Sequence, residues 1–310
     1  MIRIMLLGLL AGLFFSTTFI LNRSMSLEGG HWFWSASLRY GYMFVFLVFC
    51  LMASKGREYC FQLMREFIRH WQFWVLSGSI GFGGFYALIC FAADFSPGWV
   101  VATTWQLTII ASLFVLLLFG RRFSPKIWLF SSVVFCGVLL VNVSQIETTR
   151  LSELLLGALP VLAAAFCYPL GNQLVWEAQN GHKRLPLIDA QFLENGFAKV
   201  LLLTTGSFPF WLVLFAVVTP ASPSGGQLFS VALVALFSGV IATTLFLNAR
   251  HLADNASKLA AVDATQSSEV LFALAGEILI LGSGFPNSLG FIGILITVVG
   301  LIAFVRHDHS

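Results

Sequence analysis

The fold of this chain is decided by the stretch Ala253–Gly282, whose sequence is ADNASKLAAVDATQSSEVLFALAGEILILG. Most of it predicts one membrane-spanning helix, because Leu259–Leu281 is mainly apolar and long enough to cross ~30 Å of hydrocarbon. Four polar side chains interrupt this apolar run, namely Asp263, Gln266, Glu269 and Glu277. At ~100° per residue, these four side chains share one arc of about 120° on the helix surface.

This polar face is not expected to meet lipid. A carboxylate at the centre of a membrane helix costs at least ~2.5 kcal/mol, so the face should look onto a cavity or onto other helices. Two interpretations remain open. The acids are neutral or paired and hold helices together, or they line a pathway for substrate or protons. Three acids on one face exceed what packing needs and favour the pathway.

Composition places the whole chain in a membrane. Of 310 residues, 58% are hydrophobic and only 10% are charged, and the mean hydropathy is +0.88. These values indicate a multi-pass integral membrane protein, and the net charge of +3 gives no reason to expect nucleic acid as a partner. The five cysteines form no CxxC pair and the six histidines form no HExxH motif, so we expect no metal site and no cofactor.

The apolar runs predict an all-α protein with ten membrane-spanning helices, called spans one to ten below. The first run starts at the first Met and has no small-residue cleavage site, which predicts a retained span and not a signal peptide. The predicted bounds are about 2–21, 32–53, 71–93, 98–119, 126–145, 152–175, 188–217, 227–249, 258–281 and 287–305.

Lys and Arg in the loops predict the orientation, because cytoplasmic loops carry an excess of both. With the N-terminus inside, two basic residues, Arg23 and Arg150, fall outside. Both termini are therefore expected in the cytoplasm, and the membrane is expected to be the inner (plasma) membrane. The loop 54–70 alternates basic and apolar residues and predicts a short amphipathic helix on the membrane surface. The thirteen inside residues are Arg3, Lys55, Arg57, Arg65, Arg69, Arg121, Arg122, Lys126, Lys183, Arg184, Arg250, Lys258 and Arg306.

An internal repeat is visible at an offset of 160 residues, where Asp94 corresponds to Asp254 and Gln106 to Gln266. We therefore expect two repeats, residues 1–145 with spans one to five and residues 146–310 with spans six to ten. Five is an odd number, so the second repeat enters the membrane inverted relative to the first. Asp94 and Asp254 should lie on opposite faces, and spans three and four should superpose on spans eight and nine. Inverted repeats around a midplane site are typical of secondary transporters.

Several motifs resemble the drug/metabolite transporter superfamily, in its ten-helix EamA-type form. FAADFSPGW at Phe91–Trp99, FGRRFSP at Phe119–Pro125 and GVLLV at Gly137–Val141 resemble its signature across the third to fifth helices. GLIA at Gly300–Ala303 ends the second half in the same style. The run ATQSSEVLFALAGE at Ala264–Glu277 is most similar to the multidrug resistance efflux branch. Arg39 lies near a common Arg of the superfamily.

The resemblance implies a secondary active transporter that exports small metabolites or drug-like compounds by alternating access around a central cavity. Proton coupling is left open, and the chain departs from the pattern in three places. Gly120-Arg121 replaces the usual Gly-Glu, span nine lacks its frequent Pro, and span one lacks the membrane-embedded Glu of small four-helix relatives. A coupled proton must therefore use another carboxylate, and the substrate class cannot be borrowed from those relatives.

Glu269 is the candidate coupling residue, because it lies ~16 Å along span nine from Lys258, close to the midplane. Gln266 and Gln106 are candidate polar contacts to substrate, and Arg39 and Lys199 are candidate countercharges. The remaining candidates for the substrate or proton pathway are Glu277, Asp263, Asn195 and Trp105.

Each charged candidate also has a structural interpretation. Arg39 either extends outward as an interfacial anchor or binds a carboxylate on substrate or on span nine. Lys199 is expected to pair with Glu269 or Glu194, and such a pair is as consistent with packing as with transport. Glu269 could then do no more than hold span nine against span seven.

Other classes of function fit less well. An intramembrane enzyme needs a nucleophile–base pair or metal ligands, a channel needs repeated polar rings, and a receptor or scaffold does not need charges inside three spans. We therefore expect no enzyme activity. A non-transporting membrane protein and a uniporter without proton coupling are the alternatives. The expected partners are a small-molecule substrate, protons as a candidate coupling ion, and membrane lipids, in a monomer or homodimer.

The topology can be tested with reporter fusions. Fusions after Ser24 and after Ser222 should report the outside, and fusions after Arg65 and after Lys183 should report the cytoplasm. Opposite results at any two of these positions would contradict the ten-span arrangement.

Overall fold

The computed structural model describes residues 2–146, 150–181, 184–253, 258 and 262–308. Across these ranges the chain is helical and contains no strand, and ten helices are long and apolar enough to cross a membrane. The predicted all-α fold with ten membrane-spanning helices is confirmed. In order, the spans are Ile2–Leu27, Trp32–Lys55, Trp71–Ala92, Gly98–Leu118, Pro125–Val143, Leu151–Gln179, Gly196–Val218, Gly225–Arg250, Val262–Leu281 and Ser288–Val305.

The outer surface of the bundle is strongly apolar. Leu118, Leu212 and Leu279 are among its most exposed side chains, whereas Trp74 and Tyr86 are completely buried. In water such a surface would be unfavourable, but against lipid tails it needs no cover. We call the side where span one begins and span ten ends the terminal side, and the other the distal side.

Span seven is shorter than the sequence predicted. Its helix begins at Gly196 and not near residue 188, because Asn195 has extended backbone angles (φ −84°, ψ 110°) and its side chain accepts the amide N–H of Ala198 at 3.2 Å. A separate short helix, Ala190–Glu194, precedes this cap. The predicted span had merged two helices that an N-cap separates.

The loop between spans two and three contains the predicted amphipathic helix, at Arg57–Arg69. Leu63 faces the protein, while Phe61 and Ile68 are exposed together with the basic residues. Gly56 joins this helix to span two with φ +85°, a conformation that favours glycine.

Four spans are locally irregular. Spans three and eight contain π-helical segments at Ser79–Gly84 and Ala235–Ala242. Span four breaks after Trp105, and span nine contains a 3₁₀ turn at Thr265–Ser267. The irregular segments of spans three and eight are separated by close to the 160-residue offset of the predicted repeat, and so are those of spans four and nine. The inversion of the two halves and their boundary near residue 145 stay predictions, and Asp254 lies outside the described residues.

Spans three and seven approach closely through glycine. A Cβ at Gly206 would collide with the carbonyl oxygen of Trp74, and a Cβ at Gly78 would collide with that of Leu203. Small residues allow two helix backbones to approach this closely and to gain van der Waals contact. In lipid this contact matters because the hydrophobic effect does not drive helices together there.

Gly206→Ala should therefore destabilise the protein, because the added methyl group forces the two backbones apart at a cost of ~1–3 kcal/mol. The matched control is Gly41→Ala in span two, where a Cβ meets no atom within 4 Å. The midpoint of thermal aggregation in detergent should fall for Gly206→Ala and stay level or rise for the control. Equal midpoints would contradict the packing described here.

Candidate functional site

A cavity of ≈ 430 Å³ lies at the centre of the bundle, and residues from every span except span five line it. Its lining reaches the terminal ends of spans eight, nine and ten at Arg250, Asp263 and Val305. At the other limit it ends near Phe19 and Arg39, so no described lining residue lies at the distal end of a span. The cavity therefore extends from the middle of the bundle toward the terminal side.

Span nine forms one wall of the cavity at its irregular turn. The hydroxyl groups of Thr265, Ser267 and Ser268 each donate to a carbonyl three residues earlier, at 2.6–2.7 Å. These bonds satisfy the hydroxyl donors within span nine itself. Gly8 and Gly12 of span one lie against this turn, where a Cβ would collide with Thr265 and Ser268. Close packing on span one thus leaves the opposite side of the turn facing the cavity.

Glu269 lies on this wall and is only 8% exposed. Among the described residues its carboxylate has no hydrogen bond and no ion pair. Burial without a partner strongly disfavours the charged form of a carboxylate. Glu269 is therefore placed to hold a proton or to attract a positively charged group.

The predicted ion pair between Lys199 and Glu269 is wrong, and so is the alternative pair with Glu194. Lys199 lies in the first turn of span seven, half-buried and outside the cavity lining, because the helix begins at Gly196. Glu194 is exposed in the preceding short helix. Neither partner pairs with Lys199 among the described residues.

Arg39 points into the bundle and is not an interfacial anchor. Its guanidinium lies 4.1 Å from the centre of the Tyr86 ring, and Nη2 donates to Ser238 Oγ at 3.2 Å. Ser238 Oγ also accepts from Thr18 Oγ1 at 2.7 Å. The buried Nε has no partner, and within the described chain no carboxylate pairs with this side chain. Arg39 is therefore a positive group of the cavity without a charged partner among the described residues.

The two glutamines and Trp105 also line the cavity. Gln106 lies at the break in span four and donates to the carbonyl of Ala102 at 3.2 Å, while Gln266 lies within the turn of span nine. Trp105 packs between Phe85 and Tyr168, with ring centres 4.8 and 5.6 Å away. These aromatic rings form an apolar wall beside the polar groups.

Besides Lys199, three of the predicted site residues lie outside the cavity or are already paired. Glu277 is buried on the distal side, where Oε2 accepts the amide N–H of Trp99 at 2.9 Å and caps the start of span four. Asn195 caps span seven. Asp263 lines the terminal end of the cavity and pairs with Arg250 at 2.5 Å. Of the two surroundings expected for the polar face of span nine, a cavity or other helices, Glu277 has the second, because spans one and four close over it.

The distal side is held shut by hydrogen bonds between spans. Arg23 Nη1 donates to the carbonyl of Ala93 at 2.8 Å, and Gln227 Nε2 donates to the carbonyl of His31 at 2.9 Å. Asn22 Nδ2 donates to the hydroxyl of Tyr86 at 3.1 Å, directly beneath Arg39.

Sequence reasoning missed Thr18, Ser238 and Tyr168 as lining residues. Each is a small or aromatic polar residue, and spans one, six and eight contain other polar residues of this kind that do not line the cavity. What distinguishes these residues is their position relative to Arg39 in the folded protein, and the sequence alone does not show that position.

The chain matches the family described as “EmrE: Putative multidrug resistance efflux transporter” over residues 2–310. It is 40% identical to the “Uncharacterized protein YjlA” of Bacillus subtilis, covering 97% of this chain and 93% of that protein. It is 39% identical to the “Uncharacterized 42.1 kDa protein in intracellular alkaline protease 3'region” of Shouchella clausii, covering 80% of this chain and 64% of that protein.

A solved structure titled “Crystal structure of protein” covers 98% of this chain and 97% of its own, with a TM-score of 0.58 and 16% identity, a likeness that concerns the fold alone. The family match extends over nearly every residue and agrees with ten apolar helices around a central cavity. The chain therefore belongs to the EmrE-like family of multidrug resistance efflux transporters, within the drug/metabolite transporter superfamily.

Proposed function

We propose that this protein is a proton-coupled exporter of small molecules in the inner (plasma) membrane, with both termini in the cytoplasm. The observation that supports this most directly is Glu269, a carboxyl group without a partner among the described residues, in a cavity whose described lining extends to the terminal side. With the basic loops inside, that side is the cytoplasm. The structure then corresponds to a state that accepts substrate from the cell.

In this proposal Glu269 alternates between a proton and the substrate. In the state open to the cytoplasm, a substrate group displaces the proton of Glu269, and that proton leaves to the cytoplasm. After the cavity has opened outward, a proton from outside binds Glu269 and displaces the substrate. One carboxyl group that cannot hold both at once couples the two movements.

The other titratable or charged groups of the described lining are less suited than Glu269 to bind the exchanged proton. The same lining contains Arg39 and Tyr40 of span two and Tyr168 of span six. None of these three side chains releases a proton in the usual pH range. Asp263 is the other carboxylate in the described lining, and it is already paired with Arg250.

Alternating access requires that the distal hydrogen bonds of Arg23 and Gln227 break while the terminal side closes. We propose that the two predicted repeats move against each other around the irregular turns of spans three, four, eight and nine. Such turns make fewer regular backbone bonds than an α-helix and are frequent at functional sites. The Arg250–Asp263 pair lies where closure on the cytoplasmic side would occur.

Glu269→Gln should abolish proton-driven transport, because the amide keeps the shape of the side chain but does not titrate. The test is efflux or uptake of a screened substrate in liposomes with an imposed proton gradient, from pH 5.5 to 8.5. Glu194→Gln is the matched control, since Glu194 is exposed and outside the cavity. The control should transport like the unmodified protein.

Three results would lead to other conclusions. Normal gradient-driven transport by Glu269→Gln would show that another group carries the proton. Transport that does not depend on the proton gradient, in the unmodified protein as well as in Glu269→Gln, would indicate a uniporter. No transport of any compound by the unmodified protein would favour a receptor, scaffold or enzyme.

A further inference from the structure

Two of the four charged side chains that line the central cavity, Arg39 and Glu269, have no charged partner among the residues described. The partners of Arg39 are the ring of Tyr86 and the hydroxyl of Ser238, and its Nε has none. The part of the chain that the structure describes offers Glu269 no hydrogen-bond partner. A buried charge without a counterion is costly, so each of these groups favours a ligand of the opposite charge.

The two charges do not neutralise each other. Arg39 belongs to span two and Glu269 to span nine, and their side chains form no ion pair across the cavity. The remaining charged groups of the lining do not compete for a ligand in the same way, because Arg250 and Asp263 are paired with each other at the terminal end. One guanidinium and one carboxyl group without a charged partner among the described residues thus face the same cavity.

We propose that the substrates of this cavity are zwitterions, molecules that carry an ammonium group and a carboxylate group on one compact body. The carboxylate binds the Arg39 guanidinium, whose planar donors suit a carboxylate, and the ammonium group binds Glu269. The body of the molecule packs on the apolar wall of Tyr40, Phe85 and Trp105. This inference rests on the proposed function, in which the cavity is the transport site.

Charge balance gives the exchange a measurable property. The ammonium group takes the place of the proton on Glu269, and the substrate as a whole has no net charge. Each cycle that exports one zwitterion and imports one proton therefore moves one net positive charge inward. Export of a simple monovalent cation for one proton would move none.

The binding preference can be tested on the purified protein with matched sets of compounds. One set is L-phenylalanine, phenethylamine and 3-phenylpropionate, and the other is L-leucine, 3-methylbutylamine and 4-methylpentanoate. We expect each amino acid to raise the thermal midpoint at a concentration about tenfold or more below that needed for either singly charged analogue, because it forms two charge-assisted contacts.

Variants assign the two contacts. Arg39→Gln should bind the amino acid no better than the amine, and Glu269→Gln should bind it no better than the acid. Arg39→Lys should restore part of the preference, since it restores the positive charge. Lys199→Gln removes a half-buried charge outside the cavity and should behave like the unmodified protein.

The proposal can be tested even if an Arg39 variant fails to fold. The comparison of each amino acid with its singly charged analogues needs the unmodified protein alone. Equal or better binding of the amines, or no binding of either amino acid, overturns the zwitterion proposal. If binding is as expected but no proton-driven transport occurs, the proposed function fails and the ligand class stands. If proton-driven transport of amines occurs without this preference, the ligand class alone fails.

Discussion

Inside a lipid bilayer no water is available, so every polar group that enters the bilayer needs a partner from the protein. Most polar groups of this bundle satisfy that constraint locally. Ser131 and Thr297 donate to carbonyl oxygens one turn earlier in their own helices, and Asn142 donates to Thr104 Oγ1 at 2.9 Å. Glu277 accepts a backbone N–H at the start of span four. The positions of the spans follow from these bonds and from glycine contacts between helices.

Glu269 and Arg39 line the central cavity, and no charged group among the described residues neutralises either of them. A fold selected for stability alone would replace both with apolar residues or would bring them into contact. Because the two side chains are separated across one cavity, both remain available to bind a ligand, although burying each of them unpaired costs free energy. Departures from local consistency are expected where a protein binds or moves something, and this one coincides with the cavity.

The sequence predicted the spans well because length and hydropathy act locally, and most boundaries differ by a few residues. It also placed Asp263, Gln266 and Glu269 together, since one helix face is fixed by the helical period. It could not show that Glu277 meets helices and not the cavity, because the depth of the cavity depends on how spans one and four pack over span nine. It misplaced Lys199 because the cap at Asn195, which starts span seven late, was not recognised. Neither the 3₁₀ turn nor the neighbours Ser238 and Tyr168 have a signature in apolar sequence.

The central claim is that Glu269 is an unpartnered carboxyl group that can hold a proton in a cavity reached from the terminal side. A hydrophobic carbodiimide, which reacts with protonated carboxyl groups in apolar surroundings, tests this most directly when the modified residues are identified by peptide mass spectrometry. The account predicts modification at Glu269, with little at Glu277, which is bonded to the Trp99 amide, or at Asp263, which is paired with Arg250. An unmodified Glu269, or equal modification of all three, would contradict it.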